Sequence, residues 1–186
     1  MSLIKRIVFS FYVRGPSRSK VKRITKHLKK TDNILDIGSG YGAVSWLLRK
    51  QGYKVTPLDV KNKSCTKEIR PIIYNGRKIP FKDKSFDVAL LITVLHHTKN
   101  PEEVLKEARR VAKRLIVMEE TYSNIFQKYV TFIIDSLVNF EFLGHPHTNK
   151  TDAEWRRTFR NMGLEVCDVN KKRQLVFLEQ VTYFLR

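Results

Sequence analysis

The sequence predicts an α/β fold: one doubly wound domain built on a mostly parallel sheet of about seven strands, closed by a C-terminal antiparallel hairpin. Three observations predict it. Strand-like and helix-like apolar periods alternate in the order β-α-β-β-α-β-α after an N-terminal helical stretch. The run FDVALLITV (86–94) is almost continuously apolar, as expected of a central parallel strand covered on both faces. A glycine-rich turn, GSGYG (38–42), joins an apolar strand to a helical pattern.

The elements follow in order. The first thirty residues carry basic groups and no acid. In LIKRIVFSFY, helical spacing puts Leu3, Ile4, Ile7, Val8 and Phe11 on one face beside Lys5 and Arg6, the profile of an interfacial anchor on anionic lipid. Val21, Ile24 and Leu28 repeat at helical spacing between Ser17 and Lys30. Residues 1–30 therefore read as a basic amphipathic segment and helix, preceding a domain over 31–186. Strands are expected at 33–37, over YKVTPLDV (53–60) with Asp59 at its C-terminal end, over IIYN (72–75), through 86–94, and over RLIVMEE (114–120). Val44, Leu47 and Leu48 mark the helix after the glycine turn. Asn100-Pro101-Glu102-Glu103 reads as a helix start, with Asn100 as cap, Pro101 in the first turn and acids complementing the exposed N–H groups. Residues 122–143 read as a long apolar helix or helix pair. Thr151 to Glu154 is a capping-box pattern, and segments 164–169 and 175–184 read as the final hairpin.

A chain of 186 residues is of ordinary size for one domain. No apolar run reaches the roughly 18 residues needed to span a bilayer, and the N-terminus lacks the compact apolar core and small-residue site of a signal peptide. Cys65 and Cys167 have no metal-ligand spacing, so reduced structural thiols and a cytoplasmic location, with peripheral membrane contact, are expected. Lysine and arginine exceed acids by 36 to 18, a net charge of +18. Such a charge attracts anionic membranes or nucleic acid. No RNA-binding motif is recognisable, which leaves nucleic acid as the second choice of partner; the oligomeric state is not encoded in any readable pattern.

The glycine turn raises the central question. Gly38, Gly40 and Ala43 satisfy the dinucleotide spacing G-x-G-x-x-G/A, whereas Gly38, Gly40 and Gly42 satisfy the G-x-G-x-G turn of S-adenosylmethionine sites. The turn alone does not choose. A nicotinamide dehydrogenase usually adds a separate substrate domain, and the roughly 140 residues after the motif complete one sheet only.

The stretches ILDIGSGYG, LDV, YNGRKIPFKDKSFDVALLITVLHHTKNPEEVLKEARRV and EWRRTFRNMGLEV together resemble the class I S-adenosylmethionine-dependent methyltransferases, in particular the small ones called type 11. The stretch from Pro80-Phe81 to His96-His97 is the specific part. The resemblance implies a Rossmann-like methyltransferase domain with S-adenosyl-L-methionine as cofactor. Gly38 and Gly40 would bring backbone N–H groups to the cofactor's carboxylate, Asp36 would meet its ammonium, and Asp59 would accept from both ribose hydroxyls. Val60 would pack on adenine, and Asn75, where the family commonly has an acid, would take the adenine amino group. Ser39, Tyr41, Gly76 and Thr93 complete the implied cofactor set.

On the acceptor side, the candidate catalytic residues are His97, Glu120 and His147, although a histidine pair after the fourth strand also serves simply to shape the turn. Glu119 and Glu120 end a strand that faces the crevice. His145 and His147 have H-x-H spacing without a third ligand, so no metal is expected. Residues 122–150 are expected to form a helical lid carrying Tyr122, Phe126, Phe140 and Phe142 over a small-molecule or lipid-like acceptor. An RNA methyltransferase and a non-catalytic cofactor-binding module are the competing readings.

Overall fold

Asn33–Ile37 forms β1 in the middle of the sheet, and four of its five side chains are buried. In this computed structural model, which describes residues 3–122, 148–174 and 178–186, it pairs in parallel with Lys54–Asp59 (β2) on one side and Phe86–Ile92 (β4) on the other. Ile72–Ile73 (β3) lies beyond β2, and Ala112–Thr121 (β5) beyond β4. The hairpin of Val166–Gln174 (β6) and Leu178–Leu185 (β7) is antiparallel and inserts β7 next to β5. The seven-stranded order is β3-β2-β1-β4-β5-β7-β6. The chain winds outwards in opposite directions from β1 and β4, which opens a crevice at their C-terminal ends.

Helices cover both faces. Leu3–Arg14 (α1) leads into Pro16–Ile24 (α2), which packs with Ala43–Lys50 (α3) on one face, where Val21, Ile24, Leu47 and Leu48 meet Ile34, Leu90 and Ile116. On the other face Pro101–Val111 (α4) and Asp152–Asn161 (α5) bring Leu105, Ala108, Trp155 and Phe159 onto Leu35, Leu91 and Val117. Strand alternation sorts neighbouring apolar residues to opposite cores.

Several boundaries differ from expectation for identifiable reasons. The third strand shrinks to two residues, Ile72–Ile73, and its last bond to β2 is that of Tyr74 N–H to Asp59 O (3.1 Å). The helix expected to Lys30 ends at Ile24 and relaxes into a 3-10 turn over Thr25–His27, after which Leu28 is extended. Asn100 makes no side-chain capping bond, so its expected cap is absent, although Pro101 and the two acids occupy the first turn as read. The Thr151–Glu154 capping box is fully formed. β6 runs on to Gln174 because its backbone pairs with β7 throughout. The long helical reading over 122–143 lies outside the described residues beyond Tyr122.

The specific stretch around Pro80 and Phe86 is scaffold. Arg110 of α4 donates to the carbonyls of Ile79 (2.9 Å) and Phe81 (2.8 Å), Glu107 accepts from Ile79 N–H (2.8 Å), and the Phe81 ring stands edge-on to Phe86. Asp87 pins the start of β1 by accepting from Asn33 N–H (2.9 Å).

Gly38 joins β1 to the crevice at φ +72°, and a Cβ there would lie 2.2 Å from Val94 Cγ2. Gly38→Ala should therefore destabilise the protein by about 2–5 kcal/mol, combining backbone strain with overpacking. Adding Val94→Ala should recover the steric part only; denaturant unfolding of the two variants reads this, and full stability of the single variant would show that the turn is not wedged against Val94.

Candidate functional site

The C-terminal ends of β1, β2 and β4 surround a cavity of about 650 Å³, within the range of small-molecule sites. Asp36, Gly38, Ser39, Gly40, Tyr41, Asp59, Val60, Asn75, Gly76 and Thr93, the whole expected cofactor set, line it together with His97. The topology achieves this: each residue sits at a strand end or in the loop that follows.

The glycine turn holds itself shut with its own amides. Gly38 and Ser39 N–H both donate to Leu58 O (2.8 and 3.1 Å), Gly40 N–H donates to Asp59 Oδ2 (2.8 Å), and Gly42 N–H to Ser39 O (2.9 Å). The expectation that Gly38 and Gly40 present N–H groups to a cofactor carboxylate is thus corrected: the neighbouring strand takes them. What the turn does offer is space. A Cβ on Gly40 would approach nothing nearer than Gly38 O at 3.9 Å, and Ser39 Oγ is buried without a hydrogen-bond partner among the described residues. An open cradle with an orphaned hydroxyl fits a polar ligand lying along the turn.

Asp59 is buried at the end of β2. Besides Gly40 it accepts from Lys61 N–H (3.1 Å) through Oδ1. Each carboxylate oxygen keeps a lone pair, so the side chain can still take two ribose hydroxyls. Val60 stands beside it, half-exposed, where an apolar ring would cover it. Asn75 lines the cavity, but its Oδ1 accepts from Arg77 N–H (3.0 Å) and Lys78 N–H (3.2 Å). That carbonyl closes a local turn, which corrects its expected role as acceptor for an adenine amino group.

Asp36 is 2% exposed and accepts from Ser45 Oγ at 2.6 Å. Burial pushes its carboxyl up to about 6; the Ser45 hydroxyl opposes this, the charge of Asp59 adds to it, and Arg49 opposes it. A buried carboxylate held at this cost on a cavity wall suits a cationic ligand group.

β4 ends in a turn built around Glu119. This carboxylate is fully buried; Oε1 accepts from Val94 N–H (3.0 Å) and Leu95 N–H (2.8 Å), while Oε2 meets the buried His96 Nδ1. Glu119 is therefore a structural clamp. Glu120, its neighbour on the strand, is not among the residues lining the cavity, which separates it from the expected catalytic position, whereas His97 is at the wall. His147, Phe126, Phe140 and Phe142 lie outside the described residues. The chain re-enters at Thr148, whose Oγ1 donates to Leu95 O and Thr98 O (both 3.2 Å), beside this same turn.

Among the cavity residues that escape the sequence reading are Tyr12 of α1, and Ser17 and Lys20 of α2. The Tyr12 and Tyr41 rings lie 4.9 Å apart, so α1 roofs the turn. The signal was available, because Ser17 shares the buried helical face of Val21 and Ile24, and Lys20 adjoins it.

Residues 35–115 match the family described as Methyltransferase domain. Protein MJ1123 of Methanocaldococcus jannaschii is 33% identical over 98 residues, covering 52% of this chain and 47% of that protein. The demethylmenaquinone methyltransferase of Tropheryma whipplei is 26% identical over 144 residues, covering 67% of this chain and 60% of its own length. The chain thus spans about half to three-fifths of these relatives. Among solved structures, magnesium protoporphyrin IX methyltransferase of Synechocystis, with bound SAH, superposes with a TM-score of 0.70 at 15% identity, covering all of this chain and 88% of that one.

Asp36 supplies a pH test. Its folded-state value is raised from 3.8 to about 6, so the folded protein binds this proton more tightly than the unfolded chain and loses that stabilisation as pH rises through this window. Asp36→Asn should raise the ligand-free unfolding free energy by up to about 3 kcal/mol at pH 7.5 relative to its effect at pH 4. Equal effects of the substitution at both pH values, in chemical unfolding, would contradict the raised carboxyl.

Proposed function

We propose that the chain, whose residues 35–115 match the methyltransferase domain family, is a class I S-adenosylmethionine-dependent methyltransferase that transfers the cofactor's methyl group to an acceptor with a sizeable apolar portion at an anionic membrane surface. The observation that carries this reading is α1. Its inner face meets the domain through Tyr12–Tyr41 and through Phe9–Trp46, whose rings lie 5.6 Å apart. Its outer face exposes Ile7 (61%) and Phe11 (64%), flanked by exposed Arg6 and Arg14. Two large apolar side chains in water beside cations suit a surface that offers acyl chains under anionic headgroups. Among the described residues no helix is long and apolar enough to cross a membrane. Two of the matched methyltransferases are named for demethylmenaquinone and magnesium protoporphyrin IX, acceptors with large apolar parts.

When bound, the cofactor supplies a methyl group already activated on a sulfonium. The chain's residues bind, orient and exclude water. Asp36 would hold the ammonium, Asp59 the ribose hydroxyls, and Val60 the apolar face of the base; Tyr12 and Val94 would keep water from the wall. His97, on the cavity wall, is proposed as a group that would take a proton where the acceptor is a hydroxyl.

Sedimentation with phosphatidylglycerol-containing vesicles tests the setting. The double variant Ile7→Ser, Phe11→Ser should bind at least about tenfold more weakly, as expected for two buried apolar side chains, while RNA binding stays unchanged. Methyl transfer from labelled cofactor should then appear in a lipid extract. Tight RNA binding with labelled RNA and no vesicle binding would replace this reading with a nucleic-acid methyltransferase, the alternative that a net charge of +18 favours.

A further inference from the structure

The cavity contains an electrostatic problem. S-adenosylmethionine ends in an amino acid, and its carboxylate has to sit in a wall that already contains the carboxylates of Asp36 and Asp59. The amides of Gly38, Ser39, Gly40 and Gly42 are bound elsewhere, to Leu58 O, Asp59 and Ser39 O, which leaves the first-turn amides of α3 at Ala43 and Val44 on the cavity wall. A carboxylate placed there without a cation would be desolvated and repelled. A cationic side chain beside those amides would offset the two acids.

The cations lining the cavity differ in where they stand. Lys61 and Lys63 follow Asp59, and Arg77 follows Asn75, so these three belong to the ribose and base end; Lys99 lies beyond His97. Lys20 is different. It descends from α2, and its Nζ donates to Thr93 Oγ1 at 2.9 Å, at the end of β4 next to Val94, the residue in contact with Gly38. Thr93 is held for this contact at some expense: its φ is +54°, a left-handed conformation that disfavours a β-branched residue. Its N–H donates to Met118 O (2.7 Å) and its hydroxyl to Ile92 O (2.7 Å), which leaves the hydroxyl oxygen to accept from Lys20. A strained backbone thus presents a neutral acceptor to the Lys20 ammonium at the C-terminal end of β4.

We propose that Lys20 is the cationic anchor for the carboxylate at the amino-acid end of the cofactor, with Thr93 Oγ1 as its resting partner in the ligand-free protein. This rests on the S-adenosylmethionine reading of the cavity. Exchange of a neutral hydroxyl for a carboxylate turns an ammonium–hydroxyl hydrogen bond into an ion pair in which both partners are charged. It also makes the N-terminal helices part of the cofactor site, so that the roof carrying Tyr12 and Lys20 is fastened by the ligand it covers.

Two nucleosides separate this role from a merely structural one. S-adenosylhomocysteine carries the amino-acid end, and 5′-methylthioadenosine lacks it. In calorimetric titration, Lys20→Met should weaken S-adenosylhomocysteine binding by about 10- to 100-fold, the span of a lost charge-assisted bond, and leave 5′-methylthioadenosine within about threefold. Lys20→Arg should restore most of the loss. Equal weakening of both nucleosides would make Lys20 a strut for the roof, and unchanged binding of both would remove it from the site; either result overturns the assignment. Failure of the unsubstituted protein to bind either nucleoside would instead overturn the cofactor reading on which the assignment rests.

Discussion

The buried carboxylate of Glu119 is the contact on which the crevice depends. It gathers Val94 N–H, Leu95 N–H and the His96 ring at the end of β4, and so fixes the path of the chain from Thr93 to His97. Val94 then stands against Gly38, and the glycine can approach because it has no side chain to clash. Thr93 faces Lys20, and His97 reaches the cavity wall. Without a partner of this kind, two backbone donors and an imidazole would be left buried and unsatisfied, each a cost of about 1–3 kcal/mol. One side chain outside the cavity therefore shapes three of its walls.

Much of this was legible because it is local. The two periods of apolar residues located the strands and helices, and the distance from Gly40 to Asp59 placed an acid beside the turn, where the structure has it bonded to Gly40 N–H. What escaped the sequence was pairing across the sheet. Spacing says that amides are available in a glycine turn, but not that Leu58 O of the adjacent strand takes those of Gly38 and Ser39. It marks Asn75 as polar and well placed, but its amide oxygen closes the turn that follows it. Glu119 and Glu120 are adjacent letters with opposite fates, since strand alternation sends one into the β4 turn and the other to the opposite face. Lys20 meets Thr93 across 73 positions of chain, a separation that no motif spans.

The N-terminal helices join two properties that the sequence presents as separate. Their charge and exposed apolar face look outward, while Tyr12, Ser17 and Lys20 look into the cavity. Docking to a surface and closing over a ligand would thus act on the same pair of helices. If the two events favour the same arrangement of these helices, each would strengthen the other by the same factor.

Hydrogen–deuterium exchange with and without S-adenosylhomocysteine tests the central claim, that the ends of β1, β2 and β4 together with α1 and α2 form one cofactor site. Slower exchange is predicted over residues 12–20, 36–44, 59–61, 74–77 and 92–99, with no change in the β6–β7 hairpin and none on adding NAD. Protection confined to other segments, or the same protection produced by NAD, would contradict it.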